Sequence, residues 1–111
     1  MNLALLNTSI ITADGDYTYQ TIDQERALGE ISLAKRAGHE VVSYIGHEST
    51  AALMSELLGI PVAMSRVPFA QEAGQDALVF KLKGRPPEGR ILSRAEIEEI
   101  GYTWGLLTRN P

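Results

Sequence analysis

The sequence predicts an α/β protein: a single domain over residues 1–111, built on a mixed sheet of roughly five strands flanked by helices. Three observations predict this class. Apolar, strand-like runs alternate with helix-like segments through the first half of the chain, a pattern that lays helices on a sheet. The second half adds further strand-like runs and one late helix. Finally, 111 residues at 44% hydrophobic and 22% charged can enclose one core and leave little room for two.

Residues 2–6 are a short apolar run and form the first, buried strand. Residues 12–19 carry Asp14-Gly15-Asp16, a turn signal, before a short extended piece. Thr21 stands three residues before Gln24, the spacing of a capping box that opens a helix, and Gly38 is placed to end it. Residues 40–45 are β-branched and apolar, a second strand. Residues 51–58 space Leu53, Leu57 and Leu58 as a helix does, and Gly59 closes it.

Residues 61–67 read as a third strand, near an edge because of the neighbouring prolines. Residues 77–83 are the clearest strand: Leu78, Phe80 and Leu82 point one way, Val79, Lys81 and Lys83 the other, with Arg85 continuing the basic face. Pro86 and Pro87 exclude both ladder and helix, so residues 85–89 form a loop. Ser93 and Glu96 make a capping box for an acidic helix that ends near Gly101, and residues 102–108 are the last strand.

Composition narrows the function. Without cysteine there is no disulfide, no thiolate metal site and no catalytic thiol. Two histidines, His39 and His47, are too few for a histidine-rich centre, and no metal or cofactor is expected. No apolar run approaches the roughly 20 residues of a membrane span, and no secretory leader is visible, which predicts a cytoplasmic protein without membrane contact. The net charge of −4 argues against coating duplex DNA. The charge is uneven, however. Residues 66–94 carry a balance of +3 and the remainder −7. A local basic surface on an acidic protein suits a compact anionic ligand, although charges also scatter this way by chance.

Three constellations can carry chemistry. In the first, Tyr44-Ile-Gly-His-Glu-Ser-Thr50, a strand ends, a glycine turns the chain and a helix starts at about Ser49. Free N–H groups and the helix dipole make such a start an anion site, and ligands of α/β sheets sit beyond the carboxyl ends of strands. His47 stands there, and imidazole ordinarily exchanges a proton near neutral pH. The bland alternative is that Ser49 or Thr50 caps the helix and His47 is solvated. The second is Gly84-Arg-Pro-Pro-Glu-Gly89. Arg85 can grip a phosphate with two N–H donors, and Glu88 is the only acid between Ala77 and Ala95; an exposed hairpin with solubilising charges fits equally. The third is Asn7-Thr-Ser9 at the end of the first strand, able to bind sugar or phosphate or to satisfy its own turn. Arg66 is a second phosphate contact or an edge charge. His39 reads as a surface residue. Trp104 and the four tyrosines fit core, surface or base stacking.

Together these stretches resemble a known family. Ala4-Leu-Leu-Asn-Thr-Ser-Ile-Ile-Thr-Ala-Asp-Gly-Asp-Tyr17, Tyr44-Ile-Gly-His-Glu-Ser-Thr50, Ser65-Arg-Val67, Gly84-Arg-Pro-Pro-Glu-Gly-Arg-Ile-Leu92 and Gly105-Leu-Leu-Thr-Arg109 look like the viral ring nucleases. These small viral and prophage proteins also act as anti-CRISPR proteins against type III systems. The likeness spans nearly the whole chain in order and spacing; residues 24–38 depart from it, and no functional residue is drawn from them. It implies a homodimer with a mixed sheet, cyclic tetra-adenylate bound across the dimer interface, and metal-independent cleavage to linear di-adenylates. It places the catalytic histidine at His47 and its partners at Arg85 and Glu88, with Arg66 and Asn7 touching ligand. Ser9, Ser49, Thr50 and Lys81 complete the expected ligand-binding set.

The expected reaction needs no external nucleophile: a 2′-hydroxyl attacks its own 3′-phosphate. His47 acts as general acid for the departing 5′-oxygen, Arg85 and the helix start stabilise charge, and Glu88 orients the imidazole. The competing readings are a non-catalytic sponge for the cyclic nucleotide, a DNA-binding viral accessory protein, and a purely structural protein. A viral attacker, acting in the host cytoplasm, and a host-encoded regulator fit the sequence alike.

Overall fold

A computed structural model describes residues 1–84 and 93–111. The chain runs β1 (Leu3–Leu6), β2 (Tyr17–Ile22), α1 (Gln24–Arg36), β3 (Val41–Ser43), α2 (Glu48–Leu58), β4 (Asp76–Leu82), α3 (Arg94–Ile100) and β5 (Tyr102–Arg109). The strands form one five-stranded sheet in the order β2-β5-β4-β1-β3. β1 pairs in parallel with β3 and β4, while β5 runs antiparallel to β4 and β2. This is the mixed sheet the sequence predicts, in a single α/β domain.

Every residue of β1 is buried, which explains why that strand shows no polar alternation. Leu3 and Leu5 face the helices. They join Leu78, Phe80 and Trp104 in a core with Ala27 and Ile31 of α1, Met54 and Leu57 of α2 and Ile97 of α3. Ala4 and Leu6 face the other way, where Ala77, Val79 and Leu107 form a smaller cluster under Tyr44 and Phe69. The register Ala4↔Ala77 and Leu6↔Val79 keeps the two faces distinct. Trp104, 2% exposed, is a core residue, packed on Phe80 at 5.1 Å between ring centroids.

The local helix signals hold in α3 and at the end of α2. Ser93 and Glu96 form the capping box, Gly101 follows α3, and Gly59 ends α2 in the left-handed conformation at φ 68°. At the first helix the expected box does not form. Thr21 belongs to β2, where it pairs with Gly105, and Asp23 is the cap, its Oδ1 accepting from the Arg26 amide at 2.7 Å. Pairing with β5 extends the strand through Ile22, so the hydroxyl of Thr21 lies outside the helix start. Gln24 instead ties three elements: its Nε2 donates to the Leu57 carbonyl at 2.7 Å and its Oε1 accepts from Trp104 Nε1 at 2.6 Å.

The strand expected over residues 61–67 is absent; one parallel bridge, Ile45↔Met64, is all that forms there. The backbone groups a ladder would use are taken by side chains. Ser55 Oγ accepts from the Val62 amide at 2.8 Å and donates to the Val62 carbonyl at 3.1 Å, and Ser43 Oγ donates to the Ala63 carbonyl at 2.6 Å. No described helix is long and apolar enough to cross a membrane.

Candidate functional site

Parallel pairing of β3, β1 and β4 brings their carboxyl ends to one end of the sheet, where ligands of such folds bind. His47 follows β3, Asn7 and Ser9 follow β1, and Lys83 follows β4. Arg85 and Glu88 lie outside the described residues, as does the rest of the loop that the sequence singles out.

His47 is the N-cap of α2, with φ −125° and ψ 124°. Its carbonyl accepts from the Ala51 amide at 3.0 Å, but its side chain makes no capping bond. The alternative in which Ser49 or Thr50 caps this helix does not hold: both sit within its first turn, because α2 begins at Glu48, one residue before the expected start. The amides of Glu48, Ser49 and Thr50 are left without intrahelical partners, which gives the helix start a positive pole. Glu48 offsets part of that pole, yet it is exposed and so screened by water.

Gly46 has no positive φ, so the passage from β3 to α2 needs no left-handed residue there. The stem of Arg66 lies beside it: a Cβ on residue 46 would meet Arg66 Cγ at 3.8 Å, an ordinary van der Waals contact. Arg66 Nε donates to the Gly46 carbonyl at 3.2 Å, and no described residue engages the rest of the guanidinium. Arg66 thus lines, with His47, Glu48, Ser49, Ala52 and Met64, a cleft of about 480 Å³. That volume falls in the range of small-molecule sites, about 300–1,000 Å³. The fold brings Arg66 to His47 and Ser49, which the sequence presents on a separate segment.

Other expected residues fall elsewhere. Lys81 Nζ donates to Ser9 Oγ at 2.7 Å and stands 4.9 Å from the centre of the Tyr19 ring. This cluster shares the sheet face of Val79, opposite the helices. Asn7 and Thr50 are half-buried, and Thr50 is outside the lining of the cleft. Lys83 lays its stem along Gly101, where a Cβ would meet Lys83 Cδ at 3.0 Å. His39 is exposed, as expected, and borders a second hollow of about 310 Å³ beside Met1 and Leu33.

Sequence reasoning missed Met64 and Ala52, which carry no chemistry-bearing group and gave no signal. It also missed Tyr19, whose phenol lies across Gly105 so closely that a Cβ there would collide with its Oη. The glycine inside an otherwise apolar strand was the available sign of that close approach.

The sequence profile of the STIV B116-like family matches residues 3–104. The chain is 34% identical over 110 residues to the protein YddF of Bacillus subtilis (strain 168), covering 98% of each. It is 31% identical over 101 residues to ORF117 of Acidianus two-tailed virus, covering 90% of this chain and 86% of that one. Among solved structures, B116 of Sulfolobus turreted icosahedral virus superposes with a TM-score of 0.79 at 24% identity, covering 98% of this chain and 100% of that one. At that identity the superposition speaks for the fold alone.

Proposed function

We propose, from the premise that this chain belongs to the STIV B116-like family, that it is a metal-independent ring nuclease, cutting cyclic tetra-adenylate into linear di-adenylates and so shutting off type III CRISPR second-messenger signalling. One observation carries the reading: a histidine uncommitted to its own helix cap shares a cleft with an arginine whose guanidinium is only partly engaged by the described residues.

The chemistry follows from those residues. The ligand's 2′-oxygen attacks the adjacent phosphorus in line, forming a 2′,3′-cyclic phosphate, and the bond from phosphorus to the 5′-oxygen breaks. The hydroxyl proton passes to solvent, and the departing 5′-oxygen takes a proton from the His47 imidazolium. General acid catalysis of this kind contributes roughly 10²–10⁴-fold. Arg66 and the amides at the start of α2 hold the phosphate and offset its growing charge. Arg85 and Glu88 enter through the sequence resemblance, as a second phosphate contact and the group that orients the imidazole.

A cleft of this size seats one nucleotide rather than a ring of four, which favours two copies sharing the ligand. A two-fold dimer would offer two equivalent histidines to a symmetric ring, and two cuts would halve it. The test is incubation of the purified protein with radiolabelled cyclic tetra-adenylate, with and without EDTA. Linear di-adenylate products in both samples are expected. Tight binding without cutting would make the protein a sponge, and cutting that depends on added metal would replace the mechanism.

A further inference from the structure

We infer that Met64 and Ala52 form the wall on which one adenine base packs, beside the phosphate held by His47 and Arg66; this rests on the reading of the preceding subsection.

The cleft is chemically mixed. His47, Ser49 and Arg66 offer donors, Glu48 adds an exposed carboxylate, and Ala52 and Met64 offer only apolar surface. Such a lining suits a ligand that joins an anion to a flat apolar group, as a nucleotide does. Met64 is held in place by its bridge to the buried Ile45 and by the Ser65 amide, which donates to the Ile45 carbonyl at 2.8 Å. The residue nevertheless remains 46% exposed. A thioether in that position fits the edge or face of an aromatic ring, a favourable contact for sulfur. Ala52 lines the same cleft from α2, five residues after His47, and is exposed although its neighbours Ala51 and Leu53 are buried. Its methyl group takes up little of the cleft, and a longer side chain would fill space that a base would use.

The chain contains methionine at positions 1, 54 and 64, and Met54 is fully buried, so it serves as an internal reference. Protein carrying ¹³C at the methionine methyl groups is titrated with three probes: AMP, ribose 5-phosphate, and the 2′-deoxy analogue of cyclic tetra-adenylate, which lacks the attacking hydroxyl. With AMP and the cyclic analogue the Met64 methyl resonance moves upfield through the ring current, Met54 stays, and ribose 5-phosphate leaves Met64 in place. Ala52→Leu lowers affinity for the cyclic analogue about tenfold or more, while Ala52→Ser changes it little. Leucine is a strong helix former at an exposed site, so the variant folds. An unmoved Met64 on saturation with AMP, or a shift with ribose 5-phosphate equal to that with AMP, overturns the wall. An Ala52→Leu variant that binds like the parent protein overturns it too. If AMP shifts Met64 but the cyclic analogue does not bind, the wall stands and the ring-nuclease reading falls. If no probe binds, both fall.

Discussion

Arg66 Nε donates to the carbonyl of Gly46 at 3.2 Å, so one edge of the guanidinium clamps the arginine to the chain just before His47. An arginine can be clamped and still present donors to a phosphate, because its five N–H groups form a rigid fork. A lysine gathers its three donors on one atom and lacks the planar fork that meets a carbonyl on one edge and a phosphate in bidentate fashion on another. Arg66→Lys should therefore weaken binding of cyclic tetra-adenylate about tenfold or more, with thermal stability unchanged because Arg66 is exposed. Calorimetric titration beside a melting curve checks this, and a lysine variant that binds at the parent affinity removes Arg66 from the site.

His47 occupies a cap position without acting as a cap. His47→Ser supplies the missing acceptor for an amide of the first turn, which should stabilise the fold by about 0.5–1 kcal/mol. The same change removes the proposed proton donor, and single-turnover cleavage should fall about 10²-fold or more. Affinity should change far less, since Arg66 and the helix amides remain. A denaturant melt and a quench-flow assay on one variant measure both effects. A destabilised variant that still cuts would contradict the assignment of this residue as both a weak cap and the general acid.

Gly105 and Tyr19 form a steric pair on the sheet face opposite the helices. Gly105→Ala should cost about 1–3 kcal/mol, because the new methyl must displace the tyrosine ring. Tyr19→Ala in the same chain should recover most of that loss. Urea unfolding of the two single variants and the double variant gives the coupling, and additive losses would show that the ring moves aside freely.

If two copies share the ligand, the protein should sediment as a dimer at micromolar concentration in the presence of the 2′-deoxy cyclic analogue. Sedimentation velocity over a concentration series measures this. Monomer alone at saturating ligand would confine the whole reaction to one cleft.

Several features were legible in the sequence because they are governed by neighbours in the chain. The alternation of Leu78, Val79, Phe80 and Lys81 set the two faces of β4. Ser93 with Glu96 marked the start of α3, and Gly59 the end of α2, through contacts spanning no more than one helical turn. His47 and Ser49 stood out together at one helix start, but nothing local showed that Arg66 lines the same cleft.

Tertiary structure decided the rest. Thr21 and Gln24 had the spacing of a cap, yet antiparallel pairing with β5 claimed Thr21, and Trp104, 80 positions from Gln24 in the chain, claimed the amide. Residues 61–67 had the composition of a strand, yet Ser43 and Ser55 satisfied their backbone groups instead. Arg66 reached His47 only through the Ile45↔Met64 bridge, and Lys81 reached Ser9 only because β4 lies beside β1. Strand register and side-chain capture of backbone groups are choices between partners far apart in sequence, whereas caps and periodicity are fixed by the chain within a turn or two of itself.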